Sequence, residues 1–382
     1  MKYNAGAFKR DAVLYTPDVR MWAWPRPPRK RMRMAIVVVG AGAIGLLVAG
    51  RLAQAGQRVV LLARPALAEA LAQQRLRISA DGQVQSIDQI ATITSPAELP
   101  LADQPPEFAI LCVKGYDTAG AIPTLAALGP LYVLTLQNGI GNEELLAAQF
   151  GADRVISGAI TTSVEVEAPG RIAVAKAGGI GIAPVGSGAR AAATQAASLF
   201  GAAGFAITEV NDFRALKWSK ALLNMLGNAT AAILDMSVAE VYANRRLLAL
   251  ERRAFREALA VMRRLGIAPV NLPRYPAALL ATAMRTIPAP LLDPILRRVV
   301  AGGRGRKPPS LQLDLARGNP RSEGEFLYGA VASAAAAIGM AAPVNRALWE
   351  ILQAIASGQT PWDEFRRQPD RLLAEVARRA KS

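Results

Sequence analysis

The stretch Ala35-Ile36-Val37-Val38-Val39-Gly40-Ala41-Gly42-Ala43-Ile44-Gly45 decides the fold of this chain. Its first five residues are apolar and mostly β-branched, the pattern of a strand buried on both faces. The three glycines then follow at the spacing of a tight turn that opens directly into a helix. Gly40 permits the turn, Gly42 lets backbone approach a pyrophosphate, and Gly45 lets the helix pack closely. The backbone of Ala41, Ala43 and Ile44 completes the cradle. A dinucleotide held on a helix N-terminus is the expected ligand, and hydride transfer the expected chemistry.

Outward from this turn, the pattern predicts a helix over 43–55 and a strand over 57–63, with further strands over 108–113 and 132–136. Apolar strands separated by helices predict a mostly parallel α/β sheet covered on both sides, a Rossmann-type domain spanning 34–208. Shorter β-rich pieces follow around 155–166 and 170–174, and the 178–188 stretch alternates apolar residues with turn formers. From Phe213 the chain reads as helices over about 213–234, 245–265, 276–286, 323–339 and 345–357, so 209–382 is expected to be an all-helical second domain. A length of 382 residues with 52% hydrophobic content supports two cores.

Composition excludes much else. The chain has no histidine, which removes the imidazole base, the imidazole metal ligand and the usual serine triad. Proton transfer therefore falls to Lys, Glu, Asp, Tyr or Cys. A single cysteine, Cys112, rules out an internal disulfide, and its apolar surroundings suggest a buried strand. No carboxylate cluster has metal-ligand spacing, so no metal is expected. No apolar run is long enough to span a membrane, and the expected location is the cytoplasm.

The formal charge is +16. Residues 1–33 hold nine basic residues against two acidic ones, together with Pro25, Pro27 and Pro28. They read as a flexible basic extension, with Met34 an equally good first residue. Elsewhere the excess sits in segments such as Arg252-Arg253 and Arg304-Gly305-Arg306-Lys307, expected to be solvated faces. No nucleic-acid partner is expected.

Candidate site residues follow the strand ends. Arg64 stands after the second strand, where an acidic residue would accept bonds from the adenine ribose; an arginine there suits a 2′-phosphate and so NADPH, although it also reads as a solvated residue beside Pro65. Lys114 and Asn138 each close an apolar strand, where ligands gather in open α/β sheets. They read either as cofactor and substrate contacts or as a solvated end and a turn former before Gly139. Lys220, Asn224 and Asn228 recur every four residues and are expected on one helical face, serving either a ligand or a helix–helix contact. Ser322 with Glu325 resembles a capping box, leaving Glu323 in the first turn facing the cleft. In a chain without histidine, Lys220 is the best candidate acid.

The ordered set Gly40–Gly45, Lys114, Asn138-Gly139, Trp218-Ser219-Lys220 with Asn224 and Asn228, then Ser310 and Ser322-Glu323, resembles the ketopantoate reductase (2-dehydropantoate 2-reductase) family from Met34 to about Trp349. The resemblance implies a helical C-terminal domain of the 6-phosphogluconate dehydrogenase-like type and NADPH-dependent reduction of a small anionic 2-keto acid, 2-dehydropantoate, to pantoate. It implies that Lys220 is the catalytic lysine and that Glu323 helps hold substrate and cofactor. Asn224 and Asn228 would meet the substrate hydroxyl end and Ser310 its carboxylate, with Asn138 and Lys114 at the junction of nicotinamide and substrate. The chain departs from the pattern in four places. Tyr328-Gly329 follows Glu325-Phe326-Leu327 where Asn-Gly is usual, the spacing from Ser310 to Glu323 is one residue longer than in the best-known members, the stretch Asp235-Met236-Ser237-Val238-Ala239-Glu240 holds no further substrate-contacting asparagine beyond Asn228, and an insertion-like stretch covers about 288–309. Reduction of a different 2-keto acid or ketone is the main alternative, ahead of a nucleotide-sensing module without turnover. The apolar helices of the second domain also suit a homodimer.

Overall fold

The computed structural model of the protein describes residues 35–88, 90–99, 106–301 and 308–380. The extension expected over 1–33 and the Arg304–Lys307 run lie outside the described residues. The first half runs β1 (Ala35–Val39), α1 (Ala43–Gln54), β2 (Arg58–Leu62), α2 (Pro65–Gln73), β3 (Leu76–Ala80), β4 (Gln83–Ile87) and β5 (Ile90–Ile93). It continues with β6 (Phe108–Leu111), α3 (Thr118–Ala127), β7 (Tyr132–Thr135), α4 (Asn142–Phe150), β8 (Val155–Ile160), β9 (Ser163–Ala168), β10 (Arg171–Lys176), β11 (Gly179–Pro184), α5 (Arg190–Ala202) and β12 (Ala206–Glu209).

Among the described residues the main sheet has the order β12-β11-β8-β7-β6-β1-β2-β5. Its pairs are parallel except β8 with β11. Each strand of the parallel centre is apolar on both faces because both are covered. Ile36, Val38 and Leu61 meet Leu46 and Leu47 of α1 on one side. On the other, Val37, Val39 and Val133 meet Leu125 of α3 and Leu146 of α4. The chain leaves β1 for β2 on one flank and returns through β6 on the other, so the carboxyl ends of β1 and β6 border a topological switch point. A smaller sheet, β4-β3-β10-β9, packs on α1. The β-rich 155–166 segment is thereby two strands, β8 and β9, that belong to different sheets.

The second half is helical: α6 (Phe213–Met225), α7 (Asn228–Leu234), α8 (Val238–Ala243), α9 (Arg245–Arg264), α10 (Ala277–Thr286) and α11 (Ala289–Leu296), which runs into a π-turn at Arg297–Ala301. Then come α12 (Ser310–Ala316), a 3-10 turn at Glu323–Phe326, α13 (Tyr328–Ala337), α14 (Pro343–Ala356) and α15 (Pro369–Arg379). Their shared core gathers Ile233, Leu248, Phe255, Tyr328, Leu348 and Leu352, all essentially buried. Arg252, expected on a solvated face, instead pairs with Asp293 of α11 at 3.1 Å. No helix among the described residues is long and apolar enough to cross a membrane.

Two helices expected from the sequence are interrupted. The 213–234 segment breaks at Gly227, whose φ of +67° is left-handed, and its N–H donates to Glu251 Oε2 at 2.6 Å instead of continuing the helix. Asn228 therefore starts α7 and does not share the face of Lys220 and Asn224. The 323–339 segment divides into the 3-10 turn and α13. In that tighter turn Ser322 Oγ accepts from the Gly324 N–H at 3.1 Å, and Glu325 is exposed, so the expected capping box does not form.

The glycine turn makes a contrast that can be measured. A Cβ on Gly45 would stand 1.9 Å from the Gly40 carbonyl oxygen, a backbone atom that cannot step aside, whereas one on Gly42 meets nothing within 4 Å. Gly45→Ala is expected to destabilise the fold by about 1–3 kcal/mol in urea unfolding. Gly42→Ala should change stability by less than about 1 kcal/mol. Equal losses would contradict this reading of the turn.

Candidate active site

The turn after β1 has the form that a dinucleotide cradle needs. Gly40 has a φ of +101°, and its N–H donates to the Leu62 carbonyl at 3.2 Å. Gly42, the N-cap of α1, leaves the helix N-terminus open to close approach. Beside it the Cys112 N–H extends the β1–β6 ladder by donating to Val39 O at 2.8 Å, while burial pushes the Cys112 thiol up to about 12. Its environment makes it an inert packing group. Arg64 is exposed at the N-cap of α2, two residues past the end of the β2 ladder, and no carboxylate lies within residues 59–68.

Next to the switch point, three charges from both halves converge. Lys114 Nζ lies 2.6 Å from Glu323 Oε2 and 3.2 Å from Asp314 Oδ2. Both carboxylates are nearly buried, and the lysine is about two-fifths exposed. Burial by itself pulls the Lys114 ammonium down, but the two carboxylates outweigh it and hold its pKa above the ordinary 10.5. The Glu323–Phe326 turn reaches this place because two glycines of the sheet domain make room for Phe326. A Cβ on Gly115 would lie 3.1 Å from the ring, and one on Gly139 only 2.4 Å from Phe326 Cβ. Phe326 O also accepts from the Ile140 N–H at 2.8 Å. Tyr116 OH accepts from Asn319 Nδ2 at 2.7 Å, and Arg321 pairs with Asp117 at 2.8 Å.

A second junction joins α6 to the end of β7. Asn224 Nδ2 donates to Asn138 Oδ1 at 3.1 Å, so two expected site residues from different halves meet. One turn earlier on α6 stands the half-buried Lys220. Asn228 is not part of this group. It is buried, and its Oδ1 accepts from the Leu311 N–H of α12 at 3.4 Å. Its neighbour Ser310 is exposed at the start of that helix. The structure thus brings together Lys114 with Glu323 and Asn138 with Asn224, while Asn228 is bonded elsewhere, to the backbone of Leu311, the residue after Ser310.

Sequence reasoning passed over several residues that build the site. Asp314 stands four residues after Ser310, a helical spacing that could have flagged it. Phe326 gave no signal, because its role depends on two glycines far away in sequence. Lys217 is 3% exposed in the apolar stripe of α6, where a lysine is unexpected. Its Nζ pairs with Glu143 Oε1 at 3.0 Å and donates to the carbonyls of Gln137 and Gly158. Among the described residues no cluster of three or more potential metal ligands occurs.

The raised Lys114 pKa sets a sign for pH dependence. Its ion pairs stabilise the fold in full below pH 10.5, and that contribution is lost as pH rises through the higher folded value. The stability gap between the wild type and Lys114→Met, measured by urea unfolding, should therefore shrink above pH 10.5. A gap independent of pH would show that the pairs add nothing to the folded state.

These features agree with what the chain is similar to. The model of the ketopantoate reductase PanE/ApbA family matches residues 36–187, and that of its C-terminal domain matches residues 212–356. A 2-dehydropantoate 2-reductase of Archaeoglobus fulgidus is 28% identical over 320 residues, covering 84% of this chain and 97% of the relative. The crystal structure of a PanE/ApbA family ketopantoate reductase from Ralstonia eutropha JMP134 superposes with a TM-score of 0.71 at 27% identity, over 85% of this chain and 99% of the other. A D-mandelate dehydrogenase solved with NADH and anilino(oxo)acetate shares the fold, with a TM-score of 0.72 at 21% identity over 85% of this chain and 99% of that one. With a Rossmann-like domain leading into a helical one and a dinucleotide turn at the switch point, the chain belongs to the ketopantoate reductase PanE/ApbA family and is an NAD(P)-dependent oxidoreductase of that fold.

Proposed function

We propose that this protein is a cytoplasmic enzyme that reduces 2-dehydropantoate to (R)-pantoate with NADPH, a step toward pantothenate and coenzyme A. The observation that carries the reading is the meeting of both halves at the carboxyl ends of β6 and β7, Lys114 with Glu323 and Asn138 with Asn224, beside the glycine turn. The turn fits a dinucleotide: a Cβ on Gly42 would point into open space while Gly45 seals the helix onto the turn, leaving backbone donors for a pyrophosphate. Gly40–Gly45 would hold that pyrophosphate, Arg64 the 2′-phosphate, and Lys114, Asn138 and Glu323 the nicotinamide end. When bound, the reduced nicotinamide supplies a hydride to the keto carbon.

The chain's own residues do the rest. Lys220 donates a proton to the carbonyl oxygen as negative charge develops there, so the ketone becomes a hydroxyl. Asn138 and Asn224 share one hydrogen bond and present their remaining amide groups to the substrate. Ser310, exposed one residue before the Leu311 N–H that Asn228 accepts, offers a hydroxyl to the carboxylate. Glu323 fixes Lys114, and Asp314 doubles the negative charge around that ammonium. A second reading, a different 2-keto acid as substrate, is favoured by one observation. In the stretch beyond Asn228 where the family carries a further substrate-contacting asparagine, Asp235 to Glu240 holds none, and Asp235 is instead engaged by Gln312 Nε2 at 2.8 Å.

The test is steady-state NADPH oxidation over a panel of 2-keto acids. A clear preference for 2-dehydropantoate is expected, and a flat profile would favour the second reading. Lys220→Ala should lower kcat by about 10²–10⁴-fold, the range of a lost general acid. Arg64→Ala should weaken NADPH more than NADH. Equal losses for the two cofactors would remove the 2′-phosphate role from Arg64.

A further inference from the structure

We propose that Lys217, Glu143 and Gln137 form a buried positioning hub that holds Lys220 of the helical half in register with Asn138 and Lys114 of the sheet half. The proposal rests on the reductase reading only in taking Lys220 as the proton donor. All three hub side chains are less than 5% exposed. An ammonium has three N–H donors, and that of Lys217 has three acceptors: Glu143 Oε1, the Gln137 carbonyl and, at 3.4 Å, the Gly158 carbonyl. Glu143 Oε1 also accepts from Ser157 Oγ at 2.9 Å. The charges are paired and hydrogen-bonded, the condition under which burial of ions is tolerated.

What the hub touches gives it a role beyond holding the fold. The Gln137 carbonyl belongs to the residue immediately before Asn138. The Gln137 carboxamide donates to the carbonyls of Val113 and Lys114 at 3.1 and 3.2 Å and to Thr118 Oγ1 at 2.8 Å. Asn142 Nδ2 closes the circuit by donating to the Asn138 carbonyl at 3.1 Å. One residue thus ties down the backbone beside Lys114, precedes Asn138 and anchors α6 through Lys217. On α6, Lys217, Lys220 and Asn224 follow at spacings of three and four and lie on one face. The first is bonded to Gln137 and the last to Asn138. Lys220 is bracketed between two fixed points on the end of β7.

An apolar contact at position 217 would also glue α6 to the sheet, but it would not specify register. Directional bonds from one ammonium to two carbonyls and a carboxylate do. Without them the directional tie on the N-terminal side of Lys220 is lost and α6 is able to pivot about Asn224, carrying Lys220 off its mark. A displacement of about 1 Å costs on the order of 10²-fold in rate.

The experiment compares Lys217→Met, Glu143→Gln and the double variant with wild type, each well below its melting temperature. Lys217→Met is expected to keep the wild-type Kd for NADPH in fluorescence titration and the wild-type KM, while kcat falls by about 10²-fold. The double variant relieves the unpaired buried carboxylate, so its Tm should recover relative to Lys217→Met while kcat stays low. Recovery of kcat together with Tm, or a wild-type kcat in Lys217→Met, would overturn the proposal. Should Lys217→Met fail to fold, Glu143→Gln carries the same kinetic test, with kcat expected to fall and KM to hold. Wild-type inactivity on 2-dehydropantoate would sink the substrate assignment and not the hub. The hub is then judged by amide hydrogen exchange, expected to quicken at residues 137–141 and 217–225 but not in α1; unchanged exchange at those residues would refute it.

Discussion

The contact on which the rest of the architecture depends is the one that α6 makes with the end of β7. A helix crossing from one domain to the other can lie on a sheet in many registers if apolar packing alone holds it, because the hydrophobic effect has no direction. Leu216 of α6 packs against Ala159 and Ala183 of the sheet and gives that adhesion. The buried Lys217 ammonium adds direction, since it must find its acceptors or carry an uncompensated charge. Breaking such a pair by removing one partner typically costs about 3–5 kcal/mol, so alternative registers are disfavoured steeply. The mouth of the cleft inherits its geometry from that choice.

The other closure of the cleft is electrostatic and softer. Lys114 is only partly buried, and solvent screens its pairs with Glu323 and Asp314 more than it screens the Lys217 pair. Around it the contacts are of mixed kind: Phe326 seated against Gly115 and Gly139, Asn319 on Tyr116, and Arg321 over the Tyr116 ring at 4.4 Å. One seam between the domains is buried, and the other is charged and partly exposed. On the proposed reading, a site that admits a dinucleotide and a small acid and then releases them uses both kinds.

Much of the fold was legible because its signals are local. The apolar run at 35–39 followed by three spaced glycines specifies strand, turn and helix within about twenty residues, and the change from continuous apolar runs to helical periodicity near 209 marks where strands give way to helices. What was illegible depends on partners distant in sequence. Gly227 sits inside an acceptable helical pattern, and the helix ends there because Glu251, on another helix, takes its N–H. Ser322 and Glu325 have capping-box spacing, yet the turn tightens because Phe326 is drawn onto Gly139 in the other domain. The same distinction runs through the site. Lys114, Asn138, Asn224 and Glu323, which the structure brings together in pairs, are legible from strand ends, helical spacing and the turn after Ser322. Lys217 escaped because its carbonyl partner lies 80 residues away, and its polarity alone argued for the surface.

The absence of histidine ties composition to chemistry in a last step. With imidazole excluded, a lysine is the natural cationic acid, and an ammonium is protonated at neutral pH by a wide margin. That suits it to give a proton to the oxygen in the proposed reduction, while the balance between reduction and oxidation is set by the reaction's own equilibrium. The three lysines near the cleft are distinguished by what surrounds them. Lys217 is enclosed by two carbonyls and a carboxylate, and Lys114 faces two carboxylates at the cleft mouth. Lys220 stands one turn along α6 from Lys217, where the proposed reduction needs its proton. On the proposed reading the same side-chain chemistry serves as rivet, latch and acid, and burial together with the arrangement of nearby oxygens separates the roles.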